Sequence, residues 1–140
     1  MKKVDILIIL IVFAFSVILY TFYFSNLSLS NDLLVEITYR NTVVYSAELK
    51  EGTDIIVEIT SKDQVLSVKV GDVITNFPIA SKAEIINTVH ITNDLIEMDE
   101  ANCKNKYCLL MKLKRSYPQP IVCTNGIMVR LVTNEIIIEV

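Results

Sequence analysis

A run of 19 residues without a charge, Ile6–Phe24, constrains this chain more than any other feature of its sequence. At a rise of 1.5 Å per residue, a helix of this length is about 28 Å long, close to the roughly 30 Å hydrocarbon core of a bilayer. Lys2 and Lys3 precede the run, and the next basic residue is Arg40. The positive-inside rule then places the N-terminus in the cytoplasm and the rest of the chain outside. We therefore predict a single-pass protein of the cell membrane, with its anchor over residues 1–24.

A cleaved signal peptide is the main alternative to this anchor, and a buried core helix is a further one. Signal peptides carry an apolar stretch of about 7–15 residues that ends at a site of small residues. Here the stretch is longer, and residues 19–24 read Leu-Tyr-Thr-Phe-Tyr-Phe, which is too bulky for cleavage. These features favour the anchor. Residues 25–32 are polar, which predicts a short linker that keeps the next domain close to the membrane.

Residues 33–140 are predicted to form one extracytoplasmic domain of β-strands. Apolar residues recur with a period of two, and the first strand places Leu33, Val35, Ile37 and Tyr39 on one face. The same alternation places Val43 and the other odd-numbered residues of the second strand on its inner face. About nine or ten short strands separated by turn signals predict an all-β fold, a small antiparallel β-sandwich or barrel. Ser81–Ile86 is the only helical candidate in this domain.

Two-residue turns are predicted between several of these strands, at Arg40-Asn41, Gly71-Asp72, Asn93-Asp94, Asn125-Gly126 and Thr133-Asn134. Asn125-Gly126 gives the clearest signal, because Asn-Gly supplies the two positive φ angles that a type I′ turn requires. Residues 61–80 contain the pattern of an additional hairpin. A final strand is expected over residues 135–140.

Three cysteines form the most specific local pattern, with four residues between Cys103 and Cys108 and fourteen between Cys108 and Cys123. Cysteines outside the membrane tend to oxidise, and three of them allow three single pairings with one thiol left over. We expect one disulfide that includes Cys108, with Cys103 preferred as its partner because that loop is short. Cys123 becomes the partner if residues 107–113 and 119–124 form a hairpin. The alternatives are a redox-active dithiol, a metal or cofactor site, and three reduced, inert thiols.

The C-terminal half of the domain resembles the NusG domain II family. The resemblance is carried by residues 87–95 (Asn-Thr-Val-His-Ile-Thr-Asn-Asp-Leu), the acidic stretch 97–100, the spacing of the three cysteines, and Ile121-Val122 before the third one. It extends over about residues 33–133. Members of that family include an extra domain in some bacterial NusG transcription factors and, more often, small proteins with one N-terminal membrane helix. The resemblance implies a small all-β fold without an established enzymatic activity.

Basic residues surround the second cysteine, and no acidic residue lies between positions 104 and 115. Nearby cations favour a thiolate and lower a thiol pKa, but alternate lysines on a strand are also typical of a solvated surface. We interpret these residues as a possible docking patch for an anionic partner. Its members are Lys104, Lys106, Lys112, Lys114 and Arg115.

No metal site and no cofactor are predicted. A structural zinc site needs four ligands, and the three cysteines would require a fourth. His90 is the only histidine, and strand alternation places it on the polar face opposite Val89 and Ile91. The acidic residues Glu97, Asp99 and Glu100 are interpreted as surface charge.

No catalytic residues are predicted either, because the sequence contains no phosphate-binding glycine loop, no G-x-S-x-G elbow and no H-E-x-x-H motif. Without Lys2, Lys3 and Asp5, the chain has 11 basic and 15 acidic residues and a net charge of −4. This negative charge argues against nucleic acid as a partner. Transcription elongation, which only the resemblance suggests, is opposed by the same charge and by the anchor. Our first hypothesis is a non-enzymatic module that binds an envelope protein or component. The alternative is a thiol redox module that uses the three cysteines with an envelope partner.

Overall fold

The computed structural model describes residues 3–26 and 33–133. The chain divides into two compact units, residues 1–31 and 32–140. Helix α1 is Lys3–Asn26, and a short 3-10 helix, Tyr107–Leu110, precedes β8. The strands are β1 (Leu33–Tyr39), β2 (Thr42–Glu48), β3 (Asp54–Lys62), β4 (Val65–Val70), β5 (Val73–Pro78), β6 (Ile85–Thr92), β7 (Leu95–Ala101), β8 (Lys112–Lys114), β9 (Ile121–Val122) and β10 (Ile127–Thr133).

Helix α1 contains 24 residues, and its described side chains from residue 8 to residue 22 are all exposed. In the parts of the chain that the structure describes, no helix combines the length and the hydropathy that a membrane span needs.

The ten strands form two antiparallel sheets. Four strands lie in the order β2-β1-β10-β9, and six lie in the order β5-β4-β3-β6-β7-β8. Every pairing between these strands is antiparallel. The predicted all-β fold is therefore confirmed, and the hairpin expected within residues 61–80 is β4 with β5.

Strand alternation determines which side chains enter the core. Leu33, Val35, Ile37 and Tyr39 of β1 are all buried, as predicted. In β2 the prediction for Val43 is wrong, because that side chain is exposed while the next residue is buried. The register between β1 and β2 shifts after Ile37, and this bulge reverses the inward and outward positions at the start of β2. Beyond the bulge, Tyr45 packs against the core and Leu49 is buried, as predicted.

Three of the predicted turns are confirmed as two-residue connections: Arg40-Asn41, Gly71-Asp72 and Asn93-Asp94. Arg40 and Asn41 have φ angles of 46° and 70°, which suit a type I′ hairpin turn. Asn134 and the strand expected over residues 135–140 lie outside the described residues.

The type I′ turn predicted at Asn125-Gly126 is wrong. Gly126 has a φ of 88°, but Asn125 has no positive φ. The N–H of Gly126 donates to the carbonyl of Cys123 at 2.9 Å, and the N–H of Cys123 donates to the carbonyl of Ile127 at 2.8 Å. The connection is thus a three-residue loop, in which a type I turn is followed by a left-handed glycine.

One further local prediction is wrong, and the hairpin considered for the Cys108–Cys123 pairing is absent from the described residues. Ser81–Ile86 is not a helix, because Ile85 begins β6 and its side chain is buried against the core, where pairing with β3 outweighs the weak helical pattern. Residues 107–113 and 119–124 do not form a hairpin. Strand β8 pairs with β7 and strand β9 pairs with β10, so the two segments belong to different sheets.

One hydrophobic core receives side chains from both sheets. Val35 and Ile37 enter it from the four-stranded sheet, and Ile59 and Ile91 enter it from the six-stranded sheet; all four have no exposed surface. The three cysteines belong to the same core. Burial of such side chains, at about 25 cal/mol per Å² of apolar surface, supplies the main driving force for folding.

Candidate functional site

The three cysteines meet in one buried cluster. The sulfur of Cys108 lies 3.5 Å from that of Cys103 and 3.4 Å from that of Cys123. All three sulfurs lie within 4.8 Å of one another. The exposed fractions of the three residues are 5%, 1% and 3% for Cys103, Cys108 and Cys123, and all three thiols are free. Cys108 is therefore the central member, in contact with both others.

The chain between Cys103 and Cys108 turns sharply to bring these two thiols together. Strand β7 ends at Ala101, whose side chain is buried. Cys103 follows two positions later, so its side chain also points into the core. Lys106 then adopts a left-handed conformation, with φ 54°, and the 3-10 helix follows. This helix points Cys108 inward, while Tyr107 and Leu110 remain 68% and 78% exposed. Positions three apart lie on the same side of a 3-10 helix, so these two side chains project together.

A buried amide contacts the third thiol and belongs to a network of asparagine side chains. Asn87 has no exposed surface. Its Nδ2 donates to Met98 Sδ at 3.1 Å and to Cys123 Sγ at 3.4 Å. Its Oδ1 accepts a hydrogen bond of 2.9 Å from Nδ2 of Asn125, which also donates to Asn102 at 2.8 Å. The loop between β9 and β10 is thereby connected to β6.

This amide network is not among the features predicted from the sequence. Asn87 lies in the inward phase of β6, between Ile85 and Val89, which are both buried. A polar residue at an inward position of an otherwise apolar strand must find a hydrogen-bond partner, because an unsatisfied buried amide is costly. This break in the alternation is the signal that could have identified Asn87.

The thiols of the cluster differ in acidity. The pKa of the Cys108 thiol is raised to about 12. Burial is the largest cause, and the hydrogen bonds with Cys123 and Cys103 and the charges on those sulfurs add to it. Burial also opposes ionisation of Cys103. Hydrogen bonds to that sulfur from Cys108, Cys123, the backbone of Lys106 and the side chain of Thr124 nevertheless lower its pKa.

The five residues of the predicted docking patch have different environments. Lys104, Lys106 and Lys114 are exposed, and none of them forms an ion pair with a described residue. Lys112 lies 3.1 Å from Glu97. Arg115 is half-buried, and its Nη2 donates to the carbonyl of Leu49 at 3.1 Å, so its guanidinium has a structural contact.

Aromatic and aliphatic side chains are exposed beside these lysines. Tyr107 and Leu110 precede β8, and the exposed Tyr117 follows it. Tyr117 is held by a backbone hydrogen bond of 3.1 Å to Lys114. Residues 104–117, called here the 104–117 segment, therefore combine exposed apolar surface with three lysines that form no ion pair with a described residue.

His90 lies apart from the thiol group. Its side chain is half-buried on the face opposite Val89 and Ile91, as predicted from the alternation. Its Nε2 is 2.8 Å from Asp54 Oδ1, and its Nδ1 is 3.8 Å from Asp99 Oδ2. The groups near this histidine that could bind a metal are the carboxylates of Glu97 and Asp99, whereas the cysteine cluster offers only sulfur atoms.

An apolar cleft of about 390 Å³, which no sequence pattern predicts, lies between the two sheets. Arg40 is the charged residue of its lining, and its guanidinium lies 5.4 Å from the centre of the Tyr39 ring. None of the cysteines lines it. The lining residues are Tyr39, Arg40, Thr42, Val44, Leu66, Phe77, Pro78, Ile79 and Ala80.

Comparisons with protein-family models, with curated proteins and with solved structures found no match. The likeness to NusG domain II stays a prediction based on the residues quoted for it.

Proposed function

We propose that this chain is a membrane-anchored, extracytoplasmic β-domain that binds an acidic protein of the cell envelope and has no catalytic activity. In this proposal residues 1–24 are the anchor, residues 25–32 are the linker, and the two sheets form a sandwich of the NusG domain II kind. The uncharged run Ile6–Phe24 and the two lysines before it support the anchor and its orientation.

The observation that carries the binding function is the surface of the 104–117 segment. Tyr107 and Leu110 project together into solvent, and Lys104 and Lys106 have no ionic partner among the described residues. Aromatic side chains contribute much of the binding energy at protein interfaces, while exposed charges chiefly direct the encounter. An acidic surface with an apolar centre complements this arrangement.

The thiol cluster has a structural role in this proposal. Because Cys108 is buried against Cys103 and Cys123, the 3-10 helix is held to the core and its exposed residues keep a fixed orientation. A preorganised surface loses less conformational entropy when it binds. The anchor adds to this effect, since confinement to the membrane raises the effective concentration of a neighbouring partner.

Site-specific photo-crosslinking in native membranes tests the docking surface. A photoreactive residue at Leu110 should give a discrete crosslinked product. The matched control places it at Val73, which is 68% exposed on β5, at the opposite edge of the six-stranded sheet from β8. The double substitution Lys104→Glu and Lys106→Glu should reduce the Leu110 product at least tenfold. Equal products from both positions, or a product insensitive to the charge reversal, would contradict the proposal.

Protease added to intact protoplasts tests the orientation separately. Residues 33–140 should be digested from outside, and a cytoplasmic marker should survive. Digestion that occurs only after lysis would show that the domain lies in the cytoplasm.

A thiol redox module is the second candidate, because Cys108 lies within bonding reach of two other thiols. In that reaction two thiols of this chain would form a disulfide, and their two electrons and two protons would reduce a partner disulfide to two thiols. Burial of all three sulfurs opposes direct attack on a partner. The reduction potential separates the candidates: a structural disulfide should lie below about −300 mV and react slowly, whereas an exchange module should have a higher potential.

A further inference from the structure

We propose that Cys103, Cys108 and Cys123 form a binding site for one monovalent copper ion, Cu(I). Three segments of the chain bring the three sulfurs within 4.8 Å of one another, and the residues are almost completely buried. Soft thiolate ligands select Cu(I), zinc or iron–sulfur clusters among the metals that proteins use.

The number of ligands favours Cu(I) over zinc. Structural zinc sites are almost always four-coordinate, and catalytic zinc sites keep a position for water. Among the described residues, the group that contains the three thiols holds no histidine, aspartate or glutamate. His90 instead belongs to a separate group with Glu97 and Asp99. With three sulfurs and little access for water, the cluster suits a three-coordinate soft ion.

The spacing of the sulfurs is compatible with such an ion after a small adjustment. A metal–sulfur bond of about 2.3 Å in a trigonal plane sets neighbouring sulfurs about 4 Å apart. The observed separations from Cys108 are 3.5 Å and 3.4 Å. Each needs to lengthen by about 0.5 Å, which small rotations of the cysteine side chains can provide.

A hydrogen-bond donor already points at one of the outer sulfurs. Cys123 accepts from Nδ2 of Asn87, and Asn125 fixes the orientation of that amide through Oδ1. Donors of this kind stabilise the negative charge of metal-bound thiolates and orient the ligands. On binding, thiol protons pass to solvent, and the oxidation state of the copper is unchanged.

The site does not depend on the proposed docking function, because its ligands are buried and the docking residues are exposed. The test uses the full chain in detergent, reduced, free of metal and kept without oxygen. Cu(I) is titrated against a colorimetric chelator of known affinity, and bound metal is counted by mass spectrometry. We expect one Cu(I) per chain and slower alkylation of all three cysteines than in the same chain without metal. This protection assay uses the unmodified sequence, so it does not depend on the folding of any variant.

Variants then assign the site. Cys108→Ser should weaken Cu(I) binding at least tenfold, because it removes the central ligand. Asn87→Leu should weaken it about tenfold, as expected for a residue that orients a ligand. His90→Asn is the matched control, and it should leave the stoichiometry and the affinity unchanged. Circular dichroism verifies that each variant retains its strands.

Three results would overturn the proposal. One is full alkylation of the three cysteines in the presence of excess Cu(I). Another is the retention of Zn²⁺ by a zinc-loaded chain to which an equal concentration of Cu(I) is added. The third is Cu(I) binding that survives Cys108→Ser in a folded chain or disappears with His90→Asn.

Discussion

The loop between β9 and β10 should depend on Gly126 more than the other loops depend on their glycines. Gly126 and Gly52 have similar φ angles, 88° and 80°. An alanine in this left-handed region destabilises the folded state by about 1–2 kcal/mol. Replacing glycine also lowers the entropy of the unfolded chain, which offsets about 0.4–1 kcal/mol of this loss. Gly52→Ala should therefore lower the free energy of unfolding by about 1 kcal/mol, because nothing lies within 4 Å of the added Cβ.

At Gly126 the added Cβ also meets neighbouring atoms. It would lie 3.2 Å from Arg40 Cγ and 3.5 Å from Tyr39 Cε2. Arg40 is held in place, because its N–H donates to the carbonyl of Gly126 at 2.9 Å and its guanidinium lies over the Tyr39 ring. Displacing its side chain from a favourable rotamer costs about 1 kcal/mol more. Gly126→Ala should therefore cost about 2 kcal/mol in total.

Thermal unfolding of the full chain in detergent, followed by tyrosine fluorescence, measures this difference. For a domain of this size 1 kcal/mol corresponds to roughly 4–8 °C in Tm, so we expect losses of about 4–8 °C for Gly52→Ala and about 8–16 °C for Gly126→Ala. Gly126→Asn should lose less than Gly126→Ala, since asparagine adopts the left-handed region more readily. Equal losses for the two alanine variants would refute the Arg40 contact, and an unchanged Tm for Gly126→Ala would refute the loop conformation itself.

Three further predictions concern the cluster and its surroundings. Arg115→Met should lower the free energy of unfolding in urea by about 1 kcal/mol, because Leu49 loses its hydrogen bond, and full stability in the variant would contradict that contact. In the reduced, metal-free chain, Tm should fall as the pH rises from the ordinary thiol pKa of 9.0 toward about 12, because the folded state retains the Cys108 proton that the unfolded state releases. Cys108→Ala should lessen this fall in Tm. An equal fall in both chains would contradict the prediction. Mild oxidation of the metal-free chain should give one intramolecular disulfide that includes Cys108. Reduction of this disulfide should lower Tm without unfolding the strands. A Cys103–Cys123 disulfide found by mass spectrometry would contradict the central position of Cys108.

Much of the fold follows from local patterns in the sequence. The alternation in β1 correctly identifies its buried face, because each inward side chain must be apolar when a sheet covers a core. The turns at Arg40-Asn41 and Gly71-Asp72 are predictable because a hairpin needs residues that tolerate unusual φ angles. These features depend on near neighbours in the chain, which are visible in the sequence.

The errors occurred where a distant segment decided the local structure. The bulge opposite Ile37 reversed Val43, and pairing with β3 made Ile85 part of a strand. Asn125 has no positive φ, and its side chain instead completes a hydrogen-bond network with Asn87. In each case a tertiary contact outweighed a preference that short-range patterns express only weakly.

The same distinction between local sequence pattern and tertiary contact applies to the candidate site. Sequence alone determined that Cys103, Cys108 and Cys123 are the chemically distinctive residues and that Cys108 has basic neighbours. Only the tertiary structure decided that all three thiols meet, although β8 and β9 lie in different sheets, and that the Arg115 guanidinium binds the backbone of Leu49. The physical reason is that sequence spacing fixes how far apart two residues can be, whereas the packing of sheets around a shared core fixes which of them touch.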